Sequence, residues 1–165
     1  VKPLNEGSSV NVFICNKNNV LKILKKLKEY GEVLLEEYIP GREIQVAILS
    51  GKILGAIELK PKRKFYDYQA KYNPQAKTKH IIPVKISKNQ YDKITNIALK
   101  AHKLLKCKGV TRSDFRFFKN KFYLLETNTQ PGMTSLSLVP EIANFNNITF
   151  KNLIKKILED ASIKK

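Results

Sequence analysis

Cysteine is scarce in this chain: there are two in 165 residues, Cys15 and Cys107. Neither has a partner at metal-ligand spacing, which excludes a zinc cluster. Free thiols in a reducing cytoplasm are the expectation. Arginine is nearly as scarce. Only Arg42, Arg63, Arg112 and Arg116 stand among 31 basic residues, against 14 acidic ones and a net charge of +17. Such a charge ordinarily points to nucleic acid. The shortage of Arg, the favoured reader of phosphates and base edges, and the even spread of the lysines argue against it. The best basic patch, Lys60-Pro61-Lys62-Arg63-Lys64, better suits the flank of a mobile loop over an anionic ligand. Long apolar runs are missing too. None approaches the roughly 20 residues of a membrane span, although 42% hydrophobic residues suffice for a core. The glycines and Lys-Ser/Thr of a P-loop are absent, as are internal repeats and low-complexity linkers. The opening Val1-Lys2-Pro3-Leu4-Asn5-Glu6 carries neither an initiator Met nor an apolar signal region, and it reads as if entered in mid-strand. A piece of a longer protein is therefore expected.

What is present is organised around Val110 to Thr134. Two arms rich in β-branched and aromatic residues flank a short polar turn, Lys119-Asn120-Lys121, and predict a hairpin. Arg112, Asp114 and Arg116 alternate on the first arm; Phe122, Leu124, Glu126 and Asn128 alternate on the second. Period 2 puts each set on one face of its strand. A loop centred on Asn120 sets Asp114 opposite Glu126 and Arg112 opposite Asn128, so the four converge on one side of the sheet. A one-residue slip would disperse them. Two carboxylates and an amide offer hard oxygens that suit Mg²⁺ carrying nucleotide phosphates, with Arg112 available for developing negative charge. The competing reading is a solvated hairpin face held by ion pairs. The loop Gln130-Pro131-Gly132-Met133-Thr134 favours function, since its backbone N–H groups can face a ligand.

The remaining segments are read in the same way. Asn5 to Val10 is a small flexible loop able to lay N–H groups against a phosphate, or an ordinary turn. Asn18 or Asn19 caps a helix whose apolar positions run from Val20 to Leu27, and Gly31 ends it. Glu32 to Ile39 predicts a strand closed by Pro40-Gly41. Its carboxylates Glu36 and Glu37, with Glu43 beyond the turn, suit a nucleotide hinge or an exposed strand edge. Ile44 to Leu49 and Lys52 to Leu59 form a hairpin about Ser50-Gly51. Phe65 to Pro74, with three tyrosines and Lys71, shows no periodicity and is expected to be a mobile lid or a partly buried aromatic loop. Lys79 to Val84 is a strand. Ser87 and Gln90 form a capping box that opens a helix through Cys107, with His102 on or beside its apolar stripe in a structural role. Ser135 to Phe145 is a short helix interrupted at Pro140, and a last amphipathic helix carries Phe150 to Ala161.

Taken in order, these motifs resemble the D-alanine–D-alanine ligases of the ATP-grasp superfamily from Val1 to about Ala161. The resemblance is carried by Val1-Lys2-Pro3 with Glu6-Gly7-Ser8-Ser9-Val10, Glu36 to Glu43, Phe65-Tyr66-Asp67-Tyr68 with Ala70-Lys71-Tyr72, and Cys107-Lys108-Gly109. It continues through Arg112 with Asp114, Leu124-Leu125-Glu126 with Asn128, Pro131-Gly132-Met133-Thr134-Ser135 and Ser137-Leu138-Val139-Pro140. It implies an α+β ATP-grasp fold, with 1–43 part of the central subdomain, 44–165 the C-terminal catalytic domain, and the N-terminal substrate domain absent. It implies a cytoplasmic enzyme that joins two D-alanines through an acyl phosphate for peptidoglycan precursor synthesis, with ATP and two Mg²⁺ or Mn²⁺ ions. By the same resemblance Lys2, Ser9 and the lid's Lys71 contact ATP phosphates, while Glu36, Glu37, Ile39 and Glu43 hold adenosine. Asp114, Glu126 and Asn128 hold the metals. Arg112 and the Gly132 N–H stabilise the tetrahedral intermediate, Ser137 and Leu138 hold the second substrate's carboxylate, and Ser8 and Tyr72 orient the site. Implied partners are the D-alanine substrate, the missing N-terminal part and a second copy in a homodimer, with no membrane. The alternatives are another ATP-grasp carboxylate–amine ligase, a basic nucleic-acid-binding module and a decayed, non-catalytic remnant.

Overall fold

The computed structural model of the protein describes residues 1–7, 9–61 and 78–161. Two compact units are distinguished: Val1–Ile39 with Pro61–Lys79, and Pro40–Lys60 with His80–Lys165. The expected lid, Phe65 to Pro74 with Lys71 and Tyr72, lies outside the described residues, as do Ser8 and most of the basic patch after Pro61.

In the first unit, strand β1 (Lys2–Pro3) pairs antiparallel with β2 (Val33–Leu34), Lys2 opposite Leu34. The strand expected over Glu32 to Ile39 is thus two residues long. Its one partner among the described residues, β1, is equally short, so residues 35–39 have no ladder to join. Helix α1 (Val20–Lys26) follows the expected apolar spacing, and Leu27 just beyond it is buried. Asn19 holds the N-cap position without capping. Its side-chain oxygen accepts from the Asn16 N–H at 2.9 Å instead, so a local turn has won the side chain. A 3₁₀ turn over Lys28–Tyr30 ends at Gly31, whose φ of 68° with ψ of −105° is a conformation open to glycine rather than the left-handed helical cap.

The second unit is built on a five-stranded sheet in the order β5-β4-β3-β6-β7. The strands are β3 (Arg42–Leu49), β4 (Lys52–Lys60), β5 (Lys79–Ile81), β6 (Val110–Phe118) and β7 (Lys121–Asn128). The pairs β3–β4, β3–β6 and β6–β7 are antiparallel. Both hairpins turn on two residues with positive φ, Ser50-Gly51 at 47° and 70° and Lys119-Asn120 at 46° and 63°. That is the primed turn whose twist matches the flanking strands. Helix α2 (Lys88–Leu104) carries the full Ser87–Gln90 capping box but stops before Cys107, with Lys106 at a φ of 53°. Helices α3 (Leu138–Phe145) and α4 (Phe150–Asp160) complete the unit. Pro140 does not interrupt α3. It sits in the first turn, where backbone N–H groups lack intrahelical acceptors anyway.

Strand parity gives the sheet two different faces. Ile44, Val46, Ile48, Ala56 and Phe115 form a core with Ile94 and Ala98 of α2 and with Val84. Arg42 closes this face with a bidentate bond to Glu58, at 2.8 and 2.6 Å. On the other face α3 packs on β4, and the Asn146 side chain donates to the Leu54 carbonyl at 3.0 Å. Gly41 joins the second unit's first strand to its turn with a φ of 109°, and a Cβ there would lie 2.3 Å from the Phe117 carbonyl oxygen. Gly41→Ala is therefore expected to destabilise the fold by roughly 2–4 kcal/mol through strain and clash together. A fall in the urea midpoint at unchanged slope measures this; an unchanged midpoint contradicts the close approach.

His102 of α2 is structural, as expected. It is buried, with Nδ1 2.9 Å from the Thr111 hydroxyl. Burial pushes its pKa below the ordinary 6.5; the Lys103 charge adds to that and Asp160 opposes it. The unfolded chain therefore takes up this proton at a higher pH than the native one. Between the two values the unfolded state binds more protons, so His102 makes stability fall as pH drops below about 6.5. His102→Gln should flatten that slope in urea midpoints compared at about pH 7.5 and about pH 5.5. An unchanged slope would mean that His102 does not titrate differently on folding.

Candidate active site

The organising hairpin has the predicted pairing but not the predicted turn. Asp114 is opposite Glu126 and Arg112 is opposite Asn128. Near the turn, Phe118 pairs with Lys121, Phe117 with Phe122 and Phe115 with Leu124, a register offset by one residue. A bulge between Asp114 and Phe115 restores the offset, leaving an extra residue in β7 at Leu125. The two-residue turn alone would have placed Asp114 opposite Leu125. The bulge also divides β7. Phe122 and Leu124 share the core face with Phe117 and Phe115, and the Phe117 and Phe122 rings stack at 4.5 Å. Glu126 and Asn128 share the opposite face with Asp114 and Arg112. The expectation that all four alternating β7 residues share one face is thus corrected, because one extra residue inverts strand parity.

Around these four the sheet face is polar and densely bonded. Glu43 is opposite Arg116 across the β3–β6 pair, with a 3.3 Å ion pair; Gln45 is opposite Asp114. Arg112 clasps Asp114 along its own strand, Nε to Oδ1 at 2.8 Å and Nη2 to Oδ2 at 3.1 Å. Gln45 Nε2 donates to the same Oδ2 at 3.2 Å. Asp114, Glu43 and Gln45 are buried, whereas Glu126 is exposed and takes no partner among the described residues. Asn128 Oδ1 accepts from the Gln130 N–H at 2.9 Å, which starts the following loop.

That loop folds about Ser137. The Ser137 hydroxyl accepts from the Thr134 N–H at 3.0 Å and lies 3.0 Å from the Thr134 hydroxyl. Gly132 is exposed, and a Cβ there would come within 2.9 Å of Ser137 Oγ, so the glycine permits this closure. Ser137 is the N-cap residue of α3 and Leu138 its first helical residue; the Leu138 side chain is buried, leaving its backbone N–H for any ligand. In the first unit Lys2 Nζ pairs with Glu36 at 2.8 Å. Glu37 is exposed, Ile39 half-buried, and Ser9 adopts a φ of 61°.

The family model described as "D-ala D-ala ligase C-terminus" matches residues 1–159. The chain belongs to this D-alanine–D-alanine ligase family. It is 70% identical over 163 residues to the D-alanine–D-alanine ligase of Pelagibacter ubique, covering 99% of this chain and 54% of that protein. A solved D-alanine–D-alanine ligase from Bacillus anthracis superposes with a TM-score of 0.82 at 34% identity, over 96% of this chain and 52% of its own. A second structure from that organism, complexed with ATP, gives 0.75 at 27% identity, over 88% and 46%. The chain thus spans about half the length of the curated relatives it matches. The α+β ATP-grasp fold expected from the motifs is the fold of these ligases. No helix among the described residues is long and apolar enough to cross a membrane.

The hairpin's donor set fits the divalent ions expected of this ligase family. It offers only oxygen, from two carboxylates and an amide on one face, which suits a hard cation. No three of His, Cys, Asp or Glu cluster among the described residues, since the third donor here is Asn128. Arg112 takes one of the two lone pairs of Asp114 Oδ1, and Arg112 with Gln45 takes both of Oδ2, so a cation binds at the remaining site on Oδ1 or displaces the guanidinium. Gln45, which sequence reading passed over, is a polar side chain at the centre of this face. Its signal was its parity with Glu43 in an otherwise apolar strand.

Proposed function

We propose that this chain is the ATP-binding and catalytic half of a cytoplasmic ligase that joins two D-alanines into D-alanyl-D-alanine for peptidoglycan synthesis. The observation that carries the reading is the register that sets Asp114 opposite Glu126 and Arg112 opposite Asn128 in a chain matched over 1–159 by this family. ATP phosphorylates the first carboxylate, and the second amine attacks the resulting acyl phosphate with loss of phosphate. Residues 1–43 act as part of the nucleotide-clamping subdomain and 44–165 as the catalytic domain.

Lys2, Ser8, Ser9 and Lys71 bind phosphate. Glu36, the backbone of Glu37 and Ile39, and Glu43 hold adenosine. Asp114, Glu126 and Asn128 hold two Mg²⁺ ions, which neutralise phosphate charge when bound. Arg112, once released from Asp114, and the Gly132 N–H stabilise the anionic tetrahedral intermediate. Ser137 and the Leu138 N–H hold the second carboxylate, and Ser8 with Tyr72 orients the site. The other half of the ligase supplies the wall that holds the first D-alanine, and the complete enzyme is a homodimer. The test is to replace the corresponding half of the Pelagibacter ubique ligase with this chain and to assay ADP release and product mass with D-alanine, ATP and Mg²⁺. D-alanyl-D-alanine is expected; a folded, ATP-binding hybrid that makes none overturns the proposal.

A further inference from the structure

Gln45 is 1% exposed at the centre of the polar face, and none of the roles above uses it. Its Nε2 donates to Asp114 Oδ2, which lies cross-strand from it. An ionised carboxylate only accepts hydrogen bonds. Turning the amide over would set two acceptors against each other, so Oε1 is committed away from Asp114. That Oε1 is the one buried side-chain nitrogen or oxygen among the described residues without a partner. Buried polar atoms are nearly always satisfied, and a lone exception beside a ligand-binding carboxylate points to a donor that arrives with the ligand. The neighbours of Gln45 on its own face of β3 are Ala47 and Glu43, and the buried Glu43 carboxylate is paired with Arg116, so only the Gln45 Oε1 is left without a partner there.

We infer that Gln45 is a positioning residue of the metal site, holding the Asp114 carboxylate through Nε2 and accepting at Oε1 a hydrogen bond from a water of the bound divalent cation. The inference rests on Asp114, Glu126 and Asn128 being the metal ligands. Mg²⁺ bound through one or two carboxylates keeps several of its waters, so such a donor comes with the ion. The amide also does what Arg112 cannot do. It tethers Asp114 without adding a positive charge that competes with the cation, and it stays in place when the guanidinium yields an oxygen.

The test is a Mn²⁺ titration of the 165-residue chain in the presence of ADP, with free Mn²⁺ read by electron paramagnetic resonance. Gln45→Met, similar in length but without hydrogen bonds, should weaken Mn²⁺ binding about tenfold, as loss of an outer-shell partner does. Its metal-free melting temperature should change little, because removing the unsatisfied acceptor offsets the lost Nε2 bond to Asp114, which Arg112 still holds; a merely structural Gln45 predicts a clear fall in melting temperature with Mn²⁺ binding unchanged. Asp114→Asn separates the role of Gln45 from the metal site itself. If Asp114→Asn loses Mn²⁺ while Gln45→Met binds it as tightly as the parent, the role of Gln45 is overturned and the metal ligands stand. If Asp114→Asn binds like the parent, or the parent binds no Mn²⁺, both are overturned. Should Gln45→Met not fold, the parent chain decides: the Gln45 side-chain amide resonance should broaden with substoichiometric Mn²⁺. A signal that persists while other amides of this face broaden overturns the inference.

Discussion

Glu126→Gln in a complete ligase carrying this half lowers kcat by roughly a thousandfold, about 4 kcal/mol of transition-state stabilisation. The substitution keeps the shape of the side chain and removes only its charge. Glu126 is exposed and bonds to nothing among the described residues, so the fold loses little. A carboxylate that merely solvates a hairpin face would leave kcat unchanged. One set opposite Asp114 that holds divalent ions against transferring phosphate, as proposed, is needed in its charged form. A coupled ADP-release assay, with the melting temperature as the control for folding, separates these outcomes. Near-parental kcat contradicts the role.

The second large effect is that these 165 residues alone make no detectable D-alanyl-D-alanine. The residues proposed to hold the metals and the second carboxylate are in the chain, but acyl transfer also needs the first substrate held in line with the γ-phosphate. A misplacement of about 1 Å can cost on the order of a hundredfold. The chain spans about half the length of its curated relatives, and the proposed reading assigns the wall that holds that substrate to the other half. The first unit also leaves large apolar side chains bare: Leu4, Ile14, Leu21, Leu35 and Tyr38 are each 45% exposed or more. Such a surface invites association. Product mass after prolonged incubation with ATP, Mg²⁺ and D-alanine measures this. Turnover near that of a full-length ligase would show that the chain needs no other half.

Much of the second unit was legible in the sequence, because its signals are local. The two-residue Ser50-Gly51 turn, a complete capping box and period-2 apolar runs each constrain their own segment. The first unit was less legible. Glu32 to Ile39 has a strand's composition, yet a strand needs a partner, and β1 offers only two residues. Composition cannot count partners. The hairpin pairing was right for a reason the sequence did not display. A shorter turn and a bulge near Leu125 cancel in register, so Asp114 meets Glu126 as expected while Phe122 and Leu124 change faces. Gln45 was overlooked because a single polar residue in a buried strand carries no motif. Only its unpaired Oε1, a fact of packing, marks it. The pairing of Arg112 with Asp114 was visible as an i, i+2 possibility on one strand face, but the grip on both oxygens was not.

The central claim is that one face of the β6–β7 hairpin is the metal and phosphoryl-transfer centre. Its most direct test is a crystal structure of the complete ligase grown with Mn²⁺ and a non-hydrolysable ATP analogue, with the metals located by anomalous scattering. The account predicts two peaks bonded to Asp114, Glu126 and Asn128, with Arg112 turned away from at least one Asp114 oxygen. Peaks held by other residues, with the Arg112–Asp114 clasp intact on both oxygens, would contradict it.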